Sequence, residues 1–179
     1  MTASTTTVTG AVFIATSVDG YIARADGVID WLLSRSEDIG ETGYDAFVAT
    51  TDAMVMGRKT FEIGLTFDEW PYTGMRVYVL SSTLDGNSDK AGVTIHRSID
   101  ELLDTAHSEG IRHVYADGGR LITEFLQRGL ITELTITTVP VIIGSGLPLF
   151  GLIDSDISLE HLRTTTLGGG LVQTVYRVV

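Results

Sequence analysis

Cysteine is absent from the 179-residue chain, prolines number only three, and long apolar runs are missing. The lack of cysteine excludes disulfides, thiol nucleophiles and cysteine-ligated metals, and it is typical of a cytoplasmic protein. No apolar run approaches the ~18 residues of a membrane-spanning helix, and residues 1–9 carry neither the basic nor the apolar region of a secretory signal. We therefore expect no membrane segment, a disordered lead-in over residues 1–7, and a single domain over residues 8–179.

Basic residues are also few: 12 stand against 23 acidic residues, which gives a net charge of −11. Because contacts to nucleic-acid phosphates require a basic surface, we expect no nucleic-acid partner. An anionic small molecule would have to be held by a few local cations and backbone amides. The four histidines show no paired metal-ligand spacing, and no Gly-x-Ser-x-Gly motif is present, so neither a metal site nor a serine hydrolase is predicted.

Apolar periodicity divides most of the chain into short strands and helices. Buried-type strands are predicted at residues 10–16, 52–56, 76–80, 93–96, 113–116 and 134–139. Helices are predicted over residues 44–51, after Gly57, from 99 to 110 behind a Ser-x-x-Glu capping box, and from 121 to 129. Extended segments at 158–167 and 170–178 predict a terminal antiparallel hairpin. The expected fold is α/β, with a mainly parallel sheet that is flanked by helices and ends in this hairpin.

The chain is organised around the segment from residue 115 to residue 150. A strand ends at Asp117-Gly118-Gly119, a helix follows until Gly129, and another strand comes after it. Two glycines at the carboxyl end of a strand let the backbone approach a ligand closely, and the next helix points free N–H groups at an anion. The turn is therefore either part of a nucleotide-phosphate site or a plain tight turn.

Four polar or glycine-rich segments fall at the carboxyl ends of predicted strands. They are Thr16-Ser17, Gly57-Arg58-Lys59-Thr60, Ser81-Ser82 and Asp117-Gly118-Gly119. In open α/β sheets, ligands bind beyond the carboxyl ends of the strands, where the strand order reverses. The sequence therefore predicts one ligand site along this edge of the sheet.

Five segments also carry a resemblance to a known family. They are residues 14–22 (Ile-Ala-Thr-Ser-Val-Asp-Gly-Tyr-Ile), 56–62 (Met-Gly-Arg-Lys-Thr-Phe-Glu), 80–82 (Leu-Ser-Ser), 117–119 (Asp-Gly-Gly) and 140–150 (Pro-Val-Ile-Ile-Gly-Ser-Gly-Leu-Pro-Leu-Phe). Their order over nearly the whole chain resembles the dihydrofolate reductase-like superfamily. Within it, the chain resembles the riboflavin-biosynthesis reductase branch, which forms the C-terminal domain of the bifunctional deaminase–reductase (RibD).

This resemblance implies that the chain binds NADPH and transfers hydride. In the family, the Gly-Arg-x-Thr turn holds the cofactor phosphates, and Arg58 or Lys59, with Ser81 and Ser82, would suit the adenosine 2′-phosphate. The resemblance assigns the following residues to the cofactor: Ala15, Thr16, Gly57, Arg58, Lys59, Thr60, Leu80, Ser81, Ser82, Asp117, Gly118, Gly119, Arg120 and Leu121. The family often has a cis peptide at its glycine pair, and in this chain the corresponding bond would be Asp117–Gly118 or Gly118–Gly119, if either is cis.

On the substrate side, the resemblance points to Ser17, Asp19 and Trp31. Ser17 and Asp19 match a turn of the family, and Trp31 resembles the tryptophan of folate reductases. The alternatives are that Asp19 only forms the turn and that Trp31 only packs in the core.

The proton donor and the substrate phosphate site are left unassigned by the sequence. The acidic residue that follows the tryptophan in folate reductases has no clean match, and the candidates by neighbourhood are Glu37, Asp38 and Glu41. For a phosphorylated substrate, the nearby cations are Arg24 and Arg35.

We therefore expect an NADPH-dependent reductase that acts on the C=N or C=O of a small heterocycle. The leading substrate is a ribosylaminopyrimidine, as in 5-amino-6-(5-phosphoribosylamino)uracil reductase, and a pterin or folate is second. The alternative from another class is a nucleotide-binding module without turnover. The resemblance also implies a possible homodimer.

Overall fold

The computed structural model describes residues 8–35, 39–86 and 88–179. The strands are β1 (Thr9–Ser17), β2 (Tyr21–Ala23), β3 (Ala53–Gly57), β4 (Val77–Leu80), β5 (Val93–His96), β6 (His113–Asp117), β7 (Ile131–Val139), β8 (Leu147–Pro148), β9 (Leu159–Thr166) and β10 (Val172–Val178). The helices are α1 (Asp30–Leu33), α2 (Tyr44–Val48), α3 (Arg58–Gly64), α4 (Ile99–Ser108) and α5 (Gly119–Gln127). The predicted lead-in at residues 1–7 lies outside the described residues.

Eight of these strands form one sheet in the order β5-β4-β3-β6-β1-β7-β10-β9. The first six strands of that order are parallel, β10 is antiparallel to β7, and β9 is antiparallel to β10. β2 and β8 form a separate two-stranded ribbon. The predicted α/β fold, with its mainly parallel sheet and its C-terminal antiparallel hairpin, is confirmed.

Hydroxyl groups explain why α2 is shorter than its apolar pattern predicts. The helix ends at Val48, although the pattern runs to residue 51. The side chains of Thr50 and Thr51 donate hydrogen bonds to the carbonyls of Phe47 and Val48, at 2.7 and 2.9 Å. Threonines that bond to the preceding turn in this way compete with continuation of the helix.

The start of α4 follows the predicted capping box with one difference. The Ser98 hydroxyl accepts from the Glu101 backbone N–H at 3.2 Å, as the motif predicts. The Glu101 carboxylate accepts from the backbone N–H of Arg97 at 2.8 Å and forms no reciprocal bond with Ser98 in the described structure. The cap therefore also fixes the backbone of Arg97.

The sheet separates two apolar cores. On one face, α4 and α5 pack onto a core that includes Val12, Val55 and Ala116. On the other face, α2 and α3 pack onto a core that includes Met54 and Met56. Both faces are covered in the middle of the sheet, which is why the parallel strands are apolar throughout.

The alternation of side chains in β6 decides which face the end of this strand serves. Val114 and Ala116 belong to the core under α4 and α5, whereas Tyr115 belongs to the core under α2 and α3. Successive side chains in a strand point to opposite faces. The side chain of Asp117, the last residue of β6, therefore lies on the α2–α3 face.

The predicted segments meet at one edge of the sheet. β1, β3, β4 and β6 end there at Ser17, Gly57, Leu80 and Asp117. Gly57 lies opposite Leu80 in the register, and Met56 lies opposite Asp117. The strand order reverses at β6, which lies between β3 and β1. Parallel pairing thus places the candidate residues side by side.

Candidate nucleotide and substrate site

Arg58 connects α3 to the turn after β4. Its Nε donates to Glu62 Oε1 at 2.6 Å, and its Nη1 donates to Thr83 Oγ1 at 2.8 Å. Half of the Arg58 side chain stays exposed. Lys59 is exposed and forms no ion pair with the described residues. Two cations therefore stand at the start of α3, on the surface of an acidic protein.

The two serines after β4 have different surroundings. Ser81 is buried, and its Oγ accepts from the backbone N–H groups of Thr83 and Leu84 at 3.2 and 3.0 Å. Ser82 is exposed, and its hydroxyl has no partner among the described residues. Ser81 therefore builds the turn, and Ser82 offers the free hydroxyl.

Arg97 also lies beside the turn after β4, although it was not predicted as a site residue from the sequence. It follows β5 directly, and its Nη1 donates to the Ser81 carbonyl oxygen at 3.3 Å. Its guanidinium therefore lies beside the turn that Arg58 contacts from the other side through Thr83. Arg97 could have been predicted from its position at the carboxyl end of a strand, because the other candidate residues were chosen on the same ground.

The two glycines after β6 have separate reasons to be glycine. Gly118 has a φ of +101°, and a Cβ there would lie 3.1 Å from Thr60 Oγ1. A Cβ on Gly119 would lie 2.2 Å from the carbonyl oxygen of Pro148, which leaves no room for a side chain. Gly118 thus brings the β6–α5 turn against Thr60, while Gly119 lets the chain around β8 pack onto α5. Both peptide bonds of Asp117-Gly118-Gly119 are trans, so this turn lacks the cis peptide that is frequent in the family. The positive φ of Gly118 allows the chain to turn here.

The other residues assigned to the cofactor differ in exposure. Arg120 is exposed and has no partner among the described residues. Leu121 and Thr16 are buried, so they can meet a ligand only through backbone groups. Ala15 packs against the core cluster that contains Trp31.

Asp117 is an acidic side chain that is desolvated at this edge of the sheet. The residue is half-buried, and its carboxyl group is partly removed from solvent. Burial raises the pKa of this carboxyl to about 6, and the hydrogen bond from the Gly118 N–H offsets part of the rise. A carboxyl group with such a pKa is partly protonated near neutral pH, so part of the protein population could donate a proton from it. From the sequence, Asp117 was predicted only as part of the cofactor turn, because the desolvation of a side chain depends on the folded structure.

Three tyrosines lie close enough to this carboxyl group for its charge to act on them. Burial, and then the charge of Asp117, raise the pKa values of Tyr44, Tyr72 and Tyr115. The Tyr115 hydroxyl donates to the Phe13 carbonyl oxygen at 2.8 Å, which joins β6 to β1. The tyrosines stay neutral at physiological pH, so Asp117 is the group in this cluster that can exchange a proton.

Ser17 and Asp19 hold the turn after β1 in place. The Ser17 hydroxyl accepts from the Tyr21 N–H at 3.1 Å. The Asp19 carboxylate accepts from the N–H groups of Ile143 and Gly144 at 3.2 and 2.7 Å. The hydrogen bond from Ser17, followed by those two N–H groups, lowers the pKa of Asp19. Asp19 therefore fixes the loop at residues 140–146 to the β1–β2 turn, and Ser17 closes that turn.

Trp31 lies in a small core at the carboxyl end of β1 and β7. It is only 4% exposed and packs with Val139 and Leu171. Its indole Nε1 has no hydrogen-bond partner in the described structure. A buried donor without a partner is costly in a folded protein, and it is available to a ligand that reaches it.

The remaining acids and cations on the substrate side are mostly occupied. The Glu41 carboxylate accepts from the Gly43 N–H at 3.0 Å, as in a simple turn. Arg24 forms a two-bond ion pair with Asp30, at 2.6 and 3.1 Å. Arg35 is exposed after α1 and has no ion pair with the described residues. The candidates Glu37 and Asp38 lie outside the described residues.

Two classes of feature are absent from the described residues. No group of three histidine or acidic side chains is arranged to hold a metal ion. None of the helices there is long and apolar enough to cross a membrane.

Comparison with known proteins gives a consistent picture. Residues 8–173 match the model of the RibD C-terminal domain. The uncharacterised protein YwjB of Bacillus subtilis (strain 168) is 33% identical over 166 residues, which cover 92% of this chain and 94% of YwjB. A crystal structure from Shewanella sp. PV-4, provisionally assigned to riboflavin biosynthesis, is 35% identical with a TM-score of 0.86 and covers 96% of this chain and 99% of that one.

A more distant structure shows the fold alone. Dihydrofolate reductase from Enterococcus faecalis, which was solved as a complex with NADP(H), has a TM-score of 0.64 at 18% identity. It covers 95% of this chain and 96% of that one. The fold is therefore that of dihydrofolate reductase, as the sequence motifs imply. The match to the family model and the 33% identity to YwjB show that the chain belongs to the RibD C-terminal domain family, a reductase-like family.

Proposed function

We propose that the chain is an NADPH-dependent reductase that transfers hydride to the C=N or C=O of a small heterocycle. One observation carries the proposal: a cationic group and a protonatable buried carboxyl lie on the same edge of the sheet. The cations follow β3 and β5, and the carboxyl ends β6. Four strand intervals separate β5 from β1, and at about 4.8 Å each they span about 19 Å, which suits an extended dinucleotide.

The donor set at the ends of β3, β4 and β5 fits an adenosine 2′-phosphate. Arg58 and Arg97 lie on either side of the turn that carries Ser82. Charge-assisted hydrogen bonds from two guanidinium groups are strong enough to hold a dianion on a chain with a net charge of −11. The backbone of Gly57 and the hydroxyl of Thr60, beside Gly118, would hold the pyrophosphate. The family fold supports this placement, since a structure with the same fold binds NADP(H).

The chemical step requires a proton as well as a hydride. Bound NADPH would supply the hydride at the nicotinamide, next to the backbone of Ala15 and Thr16. Asp117 would donate the proton, because burial raises its pKa to about 6 and so keeps part of the population protonated near neutral pH. The alternative, a nucleotide-binding module without turnover, was motivated by the lack of an obvious acid in the sequence, and Asp117 as a candidate acid supports turnover instead.

The substrate that we favour is a ribosylaminopyrimidine, with a pterin or folate second. Family membership supports the first choice. Its phosphate would need Arg35, or Arg24 after release from Asp30. Trp31 would meet the ring through its unpaired indole N–H, while Ser17 and Asp19 would shape the pocket through the loop that they hold. The cytoplasmic location stays a prediction.

Thermal unfolding with NADPH, NADH or no nucleotide tests the cofactor half. The variants are Arg58→Ala and Arg97→Ala, and the matched control is Arg112→Ala, which is exposed at the opposite edge of the sheet. A ligand at a hundred times its Kd adds about 2.7 kcal/mol to the free energy of unfolding. We expect a larger shift with NADPH than with NADH, a loss of that difference in both test variants, and its retention in the control. If millimolar NADPH shifts no unfolding temperature, the proposal is wrong.

A further inference from the structure

The position of Asp117 decides on which face of the sheet the substrate of the proposed reductase lies. This inference rests on the proposed function, in which Asp117 donates the proton. A proton donor must lie within hydrogen-bond reach of the atom that it protonates, directly or through one water molecule. The Asp117 side chain lies on the α2–α3 face, as does that of Tyr115 two residues earlier. The substrate ring therefore meets residues of α2, of α3 and of the loop that follows α3.

Four aromatic side chains on this face form what we call the aromatic surface: Tyr44, Trp70, Tyr72 and Tyr115. The ring centroids of Tyr44 and Tyr115 lie 6.2 Å apart, and those of Trp70 and Tyr72 lie 5.1 Å apart, both edge to face. Burial, and then the charge of Asp117, raise the pKa values of the three tyrosines. Both ring pairs therefore lie near the same carboxyl group.

The aromatic surface offers hydrogen-bonding groups that the protein itself leaves unused. Tyr44 and Tyr72 are half-buried, and their hydroxyls have no hydrogen-bond partner among the described residues. The indole Nε1 of Trp70 is buried and has no partner there either. The Tyr115 hydroxyl, in contrast, is already bonded to the Phe13 carbonyl oxygen. Aromatic surface with a few free polar groups is the usual lining of a small-molecule site.

The segments that carry most of this surface contain no cation. Residues 36–57, which include α2 and β3, have five acidic residues and no lysine, arginine or histidine. Residues 60–75, which include most of α3 and the loop after it, have three acidic residues and again no basic residue. The two cations between these segments, Arg58 and Lys59, start α3 and belong to the nucleotide side. Among the described residues, no cation contributes to the pKa shifts of Asp117 or of the three tyrosines.

The arginines on the substrate side lie elsewhere. Arg24 is paired with Asp30 at the start of α1, and Arg35 follows α1. Neither contributes to the pKa shift of Asp117. A phosphate held by these arginines would therefore lie away from the reacting ring, and a phosphate beside the aromatic surface would meet acidic residues.

We propose that the aromatic surface selects an uncharged, planar heterocycle, and that a phosphate or carboxylate group on the substrate weakens its binding. The ring packs against Trp70 and Tyr72, and the hydroxyls of Tyr44 and Tyr72 donate to its carbonyl or ring-nitrogen acceptors. The acidic surroundings repel anionic analogues, which is specificity by exclusion. Among ribosylaminopyrimidines the form without a phosphate is then the better substrate, and a free pterin is better than a folate with its glutamate carboxylates.

Isothermal titration calorimetry with two matched ligand pairs tests this selectivity without turnover. The first pair is 5-amino-6-(5-phosphoribosylamino)uracil and its dephosphorylated form, and the second is dihydrofolate and dihydropterin. We expect the Kd of the anionic member of each pair to be at least about 10-fold higher, because like charges at a binding site cost free energy. In an assay of NADPH consumption, the same factor should appear in KM, while kcat stays similar.

A charge reversal tests the cause of the selectivity. Asp45 is exposed on α2, and its charge acts on Tyr44. Asp45→Lys should lower the Kd of the anionic ligands at least about fivefold and leave that of the uncharged ligands within about twofold. The matched control is Asp104→Lys, which makes the same change at an exposed residue of α4, on the opposite face of the sheet. It should change neither Kd.

Removal of the free hydroxyls tests the contact with the ring. Tyr44→Phe combined with Tyr72→Phe should raise the Kd of both members of each pair several-fold. It should leave the unfolding temperature unchanged, because these hydroxyls have no partner among the described residues.

Three results would overturn the proposal. They are equal or tighter binding of the anionic ligands, selectivity that survives Asp45→Lys, and binding of no ligand at millimolar concentration. The titrations contain no NADPH, so they remain informative if the cofactor test fails. Selective binding without NADPH consumption would instead refute the reductase and retain the selectivity of the aromatic surface.

Discussion

The two ends of the candidate site use their polar side chains differently. On the nucleotide side, Ser82, Lys59 and Arg97 are placed at the strand ends with hydrogen-bonding groups left free. On the substrate side, the side chains of Asp19 and Ser17 form hydrogen bonds with loops and turns of the protein itself. A family motif can therefore mark a residue that binds a ligand or one that holds the wall of its pocket.

Asp117 departs from this division, since it ends β6 between the two sides and its carboxyl group does not hold a loop. Its hydrogen bond comes from the next residue, Gly118, and its surroundings are aromatic. We therefore predict that turnover depends on Asp117 more than on Ser17 or Asp19.

The largest effect is expected for Asp117→Asn. An amide cannot donate a catalytic proton as an acid does, so turnover should fall about 10²–10⁴-fold, while the Kd for NADPH stays within a factor of two. The assay is NADPH consumption with 5-amino-6-(5-phosphoribosylamino)uracil and with dihydrofolate. The wild-type rate should fall as the pH rises above about 6, because the pKa of Asp117 lies there. Glu41→Gln is the control; if it abolishes turnover and Asp117→Asn does not, the acid is misassigned.

The same substitution should stabilise the protein at alkaline pH. The pKa of Asp117 is raised from 3.8 to about 6 in the folded state, so the wild type loses stability as the pH rises through that range, by about 3 kcal/mol in all. Asp117→Asn removes this loss. Urea unfolding at pH 8 and at pH 4 measures it, and a gain that is equal at both values would argue against a buried carboxyl.

Substitution of Gly119 tests whether the start of α5 packs closely against the chain around Pro148. A Cβ at this position would lie 2.2 Å from the Pro148 carbonyl oxygen. We expect Gly119→Ala to lower the free energy of unfolding by about 3 kcal/mol, as overpacking does at sites that cannot relax. Gly86→Ala is the control, because the added methyl group would have no atom within 4 Å and the φ of Gly86 is not positive. Equal effects of the two substitutions would refute the close approach.

The smallest effects should separate the two serines of the nucleotide side. Ser81→Ala removes the acceptor of two backbone N–H groups and should cost about 1 kcal/mol of stability. Ser82→Ala should leave stability within about 0.5 kcal/mol and weaken NADPH a few-fold relative to NADH. Urea unfolding and nucleotide titration together give the comparison. The reverse pattern would mean that Ser81 is the ligand-binding serine.

The order and type of most elements could be predicted from local patterns. The strand β5 was predicted at residues 93–96, where it lies in the structure. Its apolar pattern is local, so the sequence alone was sufficient to predict it. The helix behind Ser98 was also predictable, because its cap is formed by residues three positions apart. The end of α2 was missed, since the competing hydroxyl bonds of Thr50 and Thr51 leave the apolar period unchanged.

The amino-acid sequence by itself determined the α/β alternation, the family motifs and the edge of the sheet where they gather. These depend on periodicity and on residues that are close together in the chain. The tertiary structure alone decided that the Asp117 carboxyl group is desolvated, that Arg97 reaches Ser81, and that Asp19 accepts hydrogen bonds from the loop at Gly144. The physical reason is that desolvation and hydrogen bonding depend on distances between atoms, and folding brings together groups that are far apart in the chain, such as Asp19 and Gly144, which are 125 residues apart.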